Sequence, residues 1–351
     1  MLVPEPILPP QTPGVPQIHR GFTIFVTAPS LAAAGADLLL QAGCRVLYLP
    51  QGSDGAAVHQ LLASEAIDAV ISRTVALTAA DIAACPTLRI ICKHGVGVSN
   101  IDVAAATRRG IPVCVTPGAN AQSVAEMTLG LMFAVARRIS WMDAELRAGR
   151  WSRAQDGLEL HGRTLGLLGL GEVGQKVAAV ALALGMPVLA FDPGVTELPA
   201  SLKDVRLLPS ADAVIAAADV LSLHVPLTAA TRGLMDAARL ARMRRGAILI
   251  NTARGEVVDE AALIAALQSG QLRAAGLDTM ATEPLPADSP LLQLPNVVLT
   301  PHVGGSTPAA LDAMARGAAH SVLAFLQGLP TDPATCINAQ LLPHLPHQDS
   351  P

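Results

Sequence analysis

The chain predicts an α/β fold made of two doubly wound parallel-sheet domains with a cleft between them. Three observations carry that expectation. Short apolar runs alternate with helix-length segments in two blocks, one before and one after residue 120. A glycine pattern, Gly169-x-Gly171-x-x-Gly174, opens the second block directly behind an apolar run. The chain is 51% hydrophobic but only 2% aromatic, so Ala, Leu and Val must fill the interior, which suits helices packed on a parallel sheet.

The elements follow in order. Residues 1–20 are rich in proline (Pro4, Pro6, Pro9, Pro10, Pro13, Pro16) and have neither a basic n-region nor an apolar h-region. A flexible leader is expected there, not a secretory signal. Strands of the first block are predicted at Thr23–Val26, Arg45–Leu49, Asp68–Ser72, Arg89–Cys92 and Pro112–Val115. Helices lie between them, with Ser30 and Thr78 as expected N-caps. One long helical pattern runs from Asn120 to Arg147. It has too many turns for a simple crossover and is expected at a homodimer or interdomain interface, with Trp141 and Trp151 as anchors. Strands of the second block are predicted at 164–169, 187–191, 219–224, 247–251, 273–278 and 296–300. The last helix, Pro308–Gln327, is expected to fold back on the first domain. That domain is then discontinuous, 21–117 with 301–335, around a second domain of 118–300 and ahead of a tail of 336–351.

The glycine pattern has a chemistry. Gly169 permits a tight turn, Gly171 lets backbone N–H groups approach a pyrophosphate, and Gly174 lets the next helix pack closely on the strand. The helix start, with its free N–H groups and positive dipole end, faces the phosphates. Gly185 and Pro187 stop that helix before the next strand, whose last residue is followed by Asp192. A carboxylate about 20 residues past the glycines accepts hydrogen bonds from the adenosine ribose and repels a 2′-phosphate. No arginine follows closely, so the expected cofactor is NAD, in a Rossmann domain.

Other classes are disfavoured. The net charge of −4 argues against a nucleic-acid surface, and the Arg242–Arg245 cluster reads as charge near a helix C-terminus. Mean hydropathy is positive, but the most apolar stretch, Val177–Phe191, is interrupted by Gly185 and Pro187. It falls short of the roughly 20 apolar residues that a membrane span needs. The five cysteines form no CxxC pair, so buried reduced thiols in a cytoplasmic protein are expected. No metal-ligand spacing is present among Cys and His, and no metal is expected.

In open parallel sheets, ligands sit beyond the carboxyl ends of the strands. The second block places polar groups at those ends: His224-Val225-Pro226, Asn251-Thr252-Ala253-Arg254, Asp278-Thr279 and Pro301-His302. A carbonyl that accepts a hydride needs a proton donor, and histidine titrates in the right range. A carboxylate beside the imidazole favours imidazolium. An arginine offers a planar fork to a substrate carboxylate. Arg254, Glu283 and His302 form such a set for reduction of a 2-oxo acid.

These residues sit in motifs that resemble the D-isomer-specific 2-hydroxyacid dehydrogenase family, 3-phosphoglycerate dehydrogenase-like branch. The motifs run in order from about residue 23 to 330: KHGVGVSNID (93–102), TPGANAQSVAEMTLGLM (116–132), GRTLGLLGLGEVG (162–174), LHVPLTAATRGLM (223–235), NTARGEVVDE (251–260), GLDTMATEPLP (276–286) and TPHVGGST (300–307). The resemblance implies a Rossmann NAD-binding domain and a flavodoxin-like substrate domain. It implies that Arg254 binds the substrate carboxylate, His302 is the acid/base and Glu283 orients His302. Asp278 would contact the nicotinamide carboxamide, Glu172 and Val173 would present N–H groups to the pyrophosphate, and His224, Val225 and Pro226 would line the adenosine side. Gly169, Gly171, Gly174, Asp192, Pro193, Thr252, Ala253, Gly304 and Gly305 complete the implied cofactor set. Val96 and Gly97 would meet the substrate across the cleft, with Arg73 as a further substrate-binding group.

Family members that oxidise formate carry glutamine at the position of Glu283, so glutamate here favours a hydroxy-acid/oxo-acid couple. The chain departs from the phosphoglycerate-type RSxT pattern, reading Ile71-Ser72-Arg73-Thr74, and has Met127 where many relatives have histidine. Little chain follows Gly328, so a C-terminal regulatory domain is not expected. The expected activity is NAD-dependent, reversible conversion of a small 2-oxo/2-hydroxy acid of the hydroxypyruvate or glyoxylate type. The alternatives are a 3-phosphoglycerate dehydrogenase and, in another class, an NAD-sensing corepressor-like binding protein.

Overall fold

A run of four or five apolar residues flanked by turn formers makes a strand that is buried on both faces, as parallel sheets demand. Ala69–Ser72, Leu165–Leu168, Val220–Leu223 and Ala247–Asn251 are mostly apolar runs of this length and are buried throughout. The computed structural model describes residues 21–153 and 156–342. The expected leader, 1–20, and the end of the expected tail, 343–351, lie outside the described residues.

The first sheet holds β1 (Thr23–Val26), β2 (Arg45–Tyr48), β3 (Ala69–Ser72), β4 (Ile90–Lys93) and β5 (Val113–Cys114), all parallel in the order β2-β1-β3-β4-β5. Its connecting helices are α1 (Ala33–Gln41), α2 (Gly55–Ser64), α3 (Ala79–Ala84) and α4 (Val103–Arg108). Thr78 caps α3 in a reciprocal box with Asp81. Ser30 does not cap α1. That helix starts later, behind Ala32 and without a side-chain cap. Its position is set by packing: a Cβ at Gly35 would sit 2.4 Å from the Ala315 carbonyl.

Between the sheets, the single helix expected over Asn120–Arg147 is two helices, α5 (Ala121–Ala136) and α6 (Ile139–Arg147). Arg138 breaks them with a left-handed backbone, φ 53°. No glycine or proline marks this break. Side-chain contacts hold it: the Arg138 guanidinium lies 4.0 Å over the Trp141 ring and pairs with Asp156.

The second sheet holds β6 (Leu165–Leu168), β7 (Val188–Phe191), β8 (Arg206–Leu207), β9 (Val220–Leu223), β10 (Ala247–Asn251), β11 (Leu272–Leu277) and β12 (Val297–Leu299). The order is β12-β11-β10-β9-β6-β7-β8, again parallel. The two-residue edge strand β8 has no alternation to reveal it and was not expected from the sequence. Helices α7 (Glu172–Ala183), α8 (Ala211–Ala217), α9 (Ala237–Arg242) and α10 (Glu260–Gln268) connect the strands. The last helix, α11 (Pro308–Leu326), packs on α1 and on β3 and β4 of the first sheet.

Each sheet carries an apolar layer on both faces. Each fully buried Leu, Ile or Val in these layers contributes roughly 1.5–3 kcal/mol. The five cysteines are buried and unpaired. Residues 336–338 lie along the edge of β5, where Ile337 N–H donates to the Val113 carbonyl and Asn338 Oδ1 accepts from Val113 N–H. Strand order reverses at β1/β3 in the first sheet and at β6/β9 in the second, so a crevice opens at the carboxyl ends of each.

Candidate active site

The glycine turn follows β6. Gly169 has φ 94°, and a Cβ there would lie 2.4 Å from the His224 carbonyl. Gly174 faces the Gly169 carbonyl at 2.5 Å by the same measure, so α7 sits as close to the turn as a backbone can. Gly171, the N-cap of α7, has open space where a Cβ would be, and no side chain caps the helix. Glu172 and Val173 begin that helix, so this end of it is a cradle for an anion.

Asp192 closes the turn from β7. Its Oδ2 accepts from Leu170 N–H at 2.7 Å and its Oδ1 from Gly194 N–H at 2.8 Å, with Pro193 between. Each oxygen keeps a second lone pair for a hydroxyl. His224 follows β9, with Nε2 2.9 Å from Ser222 Oγ. Burial pushes its pKa down to about 4, so the imidazole is neutral. Val225 and Pro226 continue at the crevice rim, and the Pro226 carbonyl accepts from Thr231 Oγ1.

Arg254 is presented by the turn after β10. Asn251 locks that turn: its Nδ2 donates to the Arg254 carbonyl at 2.8 Å and its Oδ1 accepts from Ala253 N–H at 3.0 Å. Thr252 is buried with its Oγ1 2.8 Å from Thr128 Oγ1 on α5. The guanidinium reaches the first domain, where it lies against Gly97; a Cβ on Gly97 would stand 1.6 Å from Nη2. Burial lowers the Arg254 pKa, opposed by the charges of Glu256 and Glu283.

The next residue, Gly255, packs directly on the Met280–Ala281 backbone, joining this turn to the loop that carries Glu283. Glu283 Oε1 accepts from Met280 N–H at 3.1 Å and Oε2 lies 2.7 Å from His302 Nδ1. Burial works to raise the Glu283 pKa. The His302 hydrogen bond, the Met280 amide and the charges of His302 and Arg254 outweigh it and hold the carboxyl below its ordinary value. His302 is exposed and has φ 54°, a left-handed conformation that costs a non-glycine residue roughly 1–3 kcal/mol. With Nδ1 facing Glu283, Nε2 is the nitrogen left for another partner.

The structure thus brings Arg254, Glu283 and His302 to one strand-end edge, with Arg254 against Gly97. It gives three implied cofactor residues additional partners. The buried Asp278 carboxylate accepts from Thr300 Oγ1, Val303 N–H and Gly304 N–H. Gly304 is packed on that carboxylate and Gly305 on the Asn120 side chain. Met127 lies beside them, its Sδ 3.9 Å from Thr300 Oγ1.

On the first domain, Val96 is exposed beside Gly97. Gly95 is tied to Thr116, the residue leading toward α5, by its N–H and carbonyl. Arg73 follows β3, with its N–H on Thr27 Oγ1. Sequence reasoning missed Lys93. Its Nζ donates to Asn100 Oδ1 at 2.6 Å and to the Arg73 carbonyl. Burial first, then the charges of Arg254 and Arg73, push its pKa down to about 7. The signal was available: Lys93 ends β4 and so occupies the same kind of strand-end position as the residues singled out in the second block.

Known proteins resemble this chain in sequence and fold. Residues 129–304 match the family model described as D-isomer specific 2-hydroxyacid dehydrogenase, NAD binding domain. The chain belongs to the D-isomer specific 2-hydroxyacid dehydrogenase family. It is 45% identical over 263 residues to the D-3-phosphoglycerate dehydrogenase of Mycobacterium leprae, covering 74% of this chain and 49% of the relative. It is also 45% identical over 251 residues to the hydroxypyruvate reductase of Thermotoga maritima, covering 70% of this chain and 80% of that one. The crystal structure of TT0316 protein from Thermus thermophilus superposes with a TM-score of 0.81 at 37% identity, over 90% of this chain and all of that chain. This member of the family spans about half the length of the D-3-phosphoglycerate dehydrogenases it matches.

Proposed function

We propose that this protein is an NAD-dependent D-2-hydroxyacid dehydrogenase acting on a small 2-oxo/2-hydroxy acid of the hydroxypyruvate or glyoxylate type. The observation that carries the reading is the 2.7 Å contact of Glu283 with His302 beside a guanidinium that spans the cleft to Gly97. The cradle fits the cofactor: an uncapped helix start, open space at Gly171 and a carboxylate at Asp192 suit a pyrophosphate and an unphosphorylated ribose. Gly169, Gly171–Gly174, Asp192, Pro193, His224–Pro226, Thr252, Ala253, Asp278, Gly304 and Gly305 would hold it. When bound, NADH supplies the hydride that reduces C2 of the oxo acid.

The chain's own residues do the rest. Arg254 fixes the substrate carboxylate and stabilises charge that develops on the carbonyl oxygen. His302 Nε2 gives that oxygen its proton and takes it back in oxidation. Glu283, held ionised, stabilises the imidazolium and fixes the ring. In this reading 21–117 with 301–335 is the substrate domain and 118–300 the cofactor domain. Their approach brings Val96–Gly97 to the substrate and excludes water.

One observation favours a second reading, a 3-phosphoglycerate dehydrogenase. Lys93 lies near both Arg254 and Arg73, since burial first and then their charges lower its pKa, so the cleft offers cations beyond the one a simple oxo acid needs. We place the protein in the cytoplasm as a homodimer, associating through α5 and α6, which expose Phe133, Ile139 and Leu146, with Trp151 exposed in the chain that follows. No described helix is long and apolar enough to cross a membrane.

The test is initial-rate NADH oxidation with glyoxylate, hydroxypyruvate, 3-phosphohydroxypyruvate and a bulkier 2-oxo acid in parallel. Turnover of the small unphosphorylated acids supports the first reading, and selective turnover of the phosphorylated one supports the second. Silence on all four with NADH binding intact overturns both and favours an NADH-sensing binding protein of the corepressor type.

A further inference from the structure

The stretch that carries His302 is held from one point. Asp278, 2% exposed, receives three hydrogen bonds, all from residues 300–304. Thr300 Oγ1 donates to Oδ1 at 2.6 Å, Val303 N–H to the same oxygen at 2.9 Å, and Gly304 N–H to Oδ2 at 2.8 Å. His302 sits inside this bracket with its left-handed backbone, and its own N–H turns back to the Thr300 carbonyl at 3.0 Å. No space remains around the clamp, since a Cβ on Gly304 would lie 2.8 Å from Oδ2.

We infer that Thr300 is a positioning residue for His302, acting through Asp278. The inference rests on the reading of His302 as the acid/base. A buried carboxylate on one backbone N–H per oxygen can still swing about its Cβ–Cγ bond. The Thr300 hydroxyl, a third donor fixed to the end of β12, sets that rotation. The carboxylate then dictates where Val303 and Gly304 lie, and their placement aims the His302 ring at Glu283. The hydrogen bond joins a half-buried hydroxyl to a buried carboxylate, and a charge-assisted bond of this kind is among the stronger ones. The Thr300 side chain bonds to Asp278 and not to the side chains of the His302–Glu283 pair, and its only bond to that pair is the backbone one, which neither variant removes.

The experiment compares Thr300→Val, which keeps the shape and removes the hydroxyl, with Thr300→Ser, which keeps the hydroxyl. The full chain is used, with NAD(H) and hydroxypyruvate or glyoxylate as the probe. Thr300→Val is expected to lower kcat about tenfold, and Thr300→Ser to restore most of the loss. A second measurement needs no turnover. Amide hydrogen exchange at Val303 and Gly304 should quicken about tenfold in Thr300→Val and stay near wild type in Thr300→Ser, with β10 and α7 unchanged. Unchanged exchange at the two amides, or equal losses in both variants, overturns the inference, as does loosening spread across the second sheet. If the wild-type protein reduces none of the oxo acids, the functional reading fails, and the exchange comparison alone decides the role of Thr300.

Discussion

His302 Nδ1 and Glu283 Oε2 face each other at 2.7 Å across two loops that leave neighbouring strands, β12 and β11. The pairing is made by the sheet register rather than by local chain, because 19 residues separate the two. Glu283 is held ionised by its partners, so it stabilises a proton on the ring without competing for it.

Glu283→Gln keeps a hydrogen-bond acceptor near Nδ1 and removes the charge. We expect kcat for oxo-acid reduction to fall about 10–100-fold, with KM for NADH nearly unchanged. The pH profile is the sharper check. Wild type should lose activity in acid as Glu283 protonates, below the ordinary carboxylate range, and the variant, with no carboxylate to protonate, should lack that acid limb. An unaltered profile would mean that Glu283 merely packs.

His302→Ala removes the proton donor. General acid–base catalysis contributes about 10²–10⁴-fold, and a loss of that order is expected in kcat. NADH binding, followed by fluorescence titration, should be retained because the glycine turn and Asp192 lie on other strands. Turnover near wild type would end the assignment of His302.

Gly97→Ala tests the contact that spans the cleft. The added methyl would stand 1.6 Å from Arg254 Nη2, so the guanidinium must move aside. A displacement on the order of an ångström costs about 10–100-fold in kcat/KM, and the loss should fall mainly on KM for the oxo acid. NADH affinity is the control. If KM for the acid holds, Arg254 does not read the substrate carboxylate from this position.

Much of this was legible beforehand. β1 and β10 fall where four- and five-residue apolar runs end in polar turns, and the glycines at 169, 171 and 174 take conformations that their spacing predicts. The break at Arg138 was not legible, because cation–π stacking on Trp141 and pairing with Asp156 supply what a glycine usually supplies. Lys93 was legible only as a strand-end residue; its burial beside Arg73 and Arg254 was not, because Arg254 is remote in sequence. The three donors on Asp278 were hidden for the same reason: two are backbone N–H groups, which carry no residue signature.

Asp192→Ala should relax the discrimination against NADPH. The structure adds a cost, since the carboxylate also accepts from Leu170 N–H inside the glycine turn. KM for NADH should therefore rise about tenfold with the loss of a charge-assisted bond, while KM for NADPH changes less or falls. The ratio of kcat/KM for the two cofactors is the measurement. A preserved ratio would place the determinant elsewhere.

Lys93 separates the two substrate readings by pH. Burial and the neighbouring arginines bring its pKa to about 7, so the free enzyme carries an ammonium there only below that value. A phosphorylated substrate needs the ammonium. Its kcat/KM, which reports groups on the free enzyme, should fall about tenfold per unit as pH rises above the midpoint. Binding of a dianion stabilises the same proton, so the fall in kcat at saturation should begin at higher pH than the fall in kcat/KM. Hydroxypyruvate lacks the phosphate and should show only the fall that proton donation by His302 imposes on both acids. Lys93→Arg stays charged throughout and should make the profile for 3-phosphohydroxypyruvate match that for hydroxypyruvate. Parallel profiles for both acids in the wild-type protein would remove Lys93 from substrate recognition, and with it the observation that favours the phosphorylated substrate.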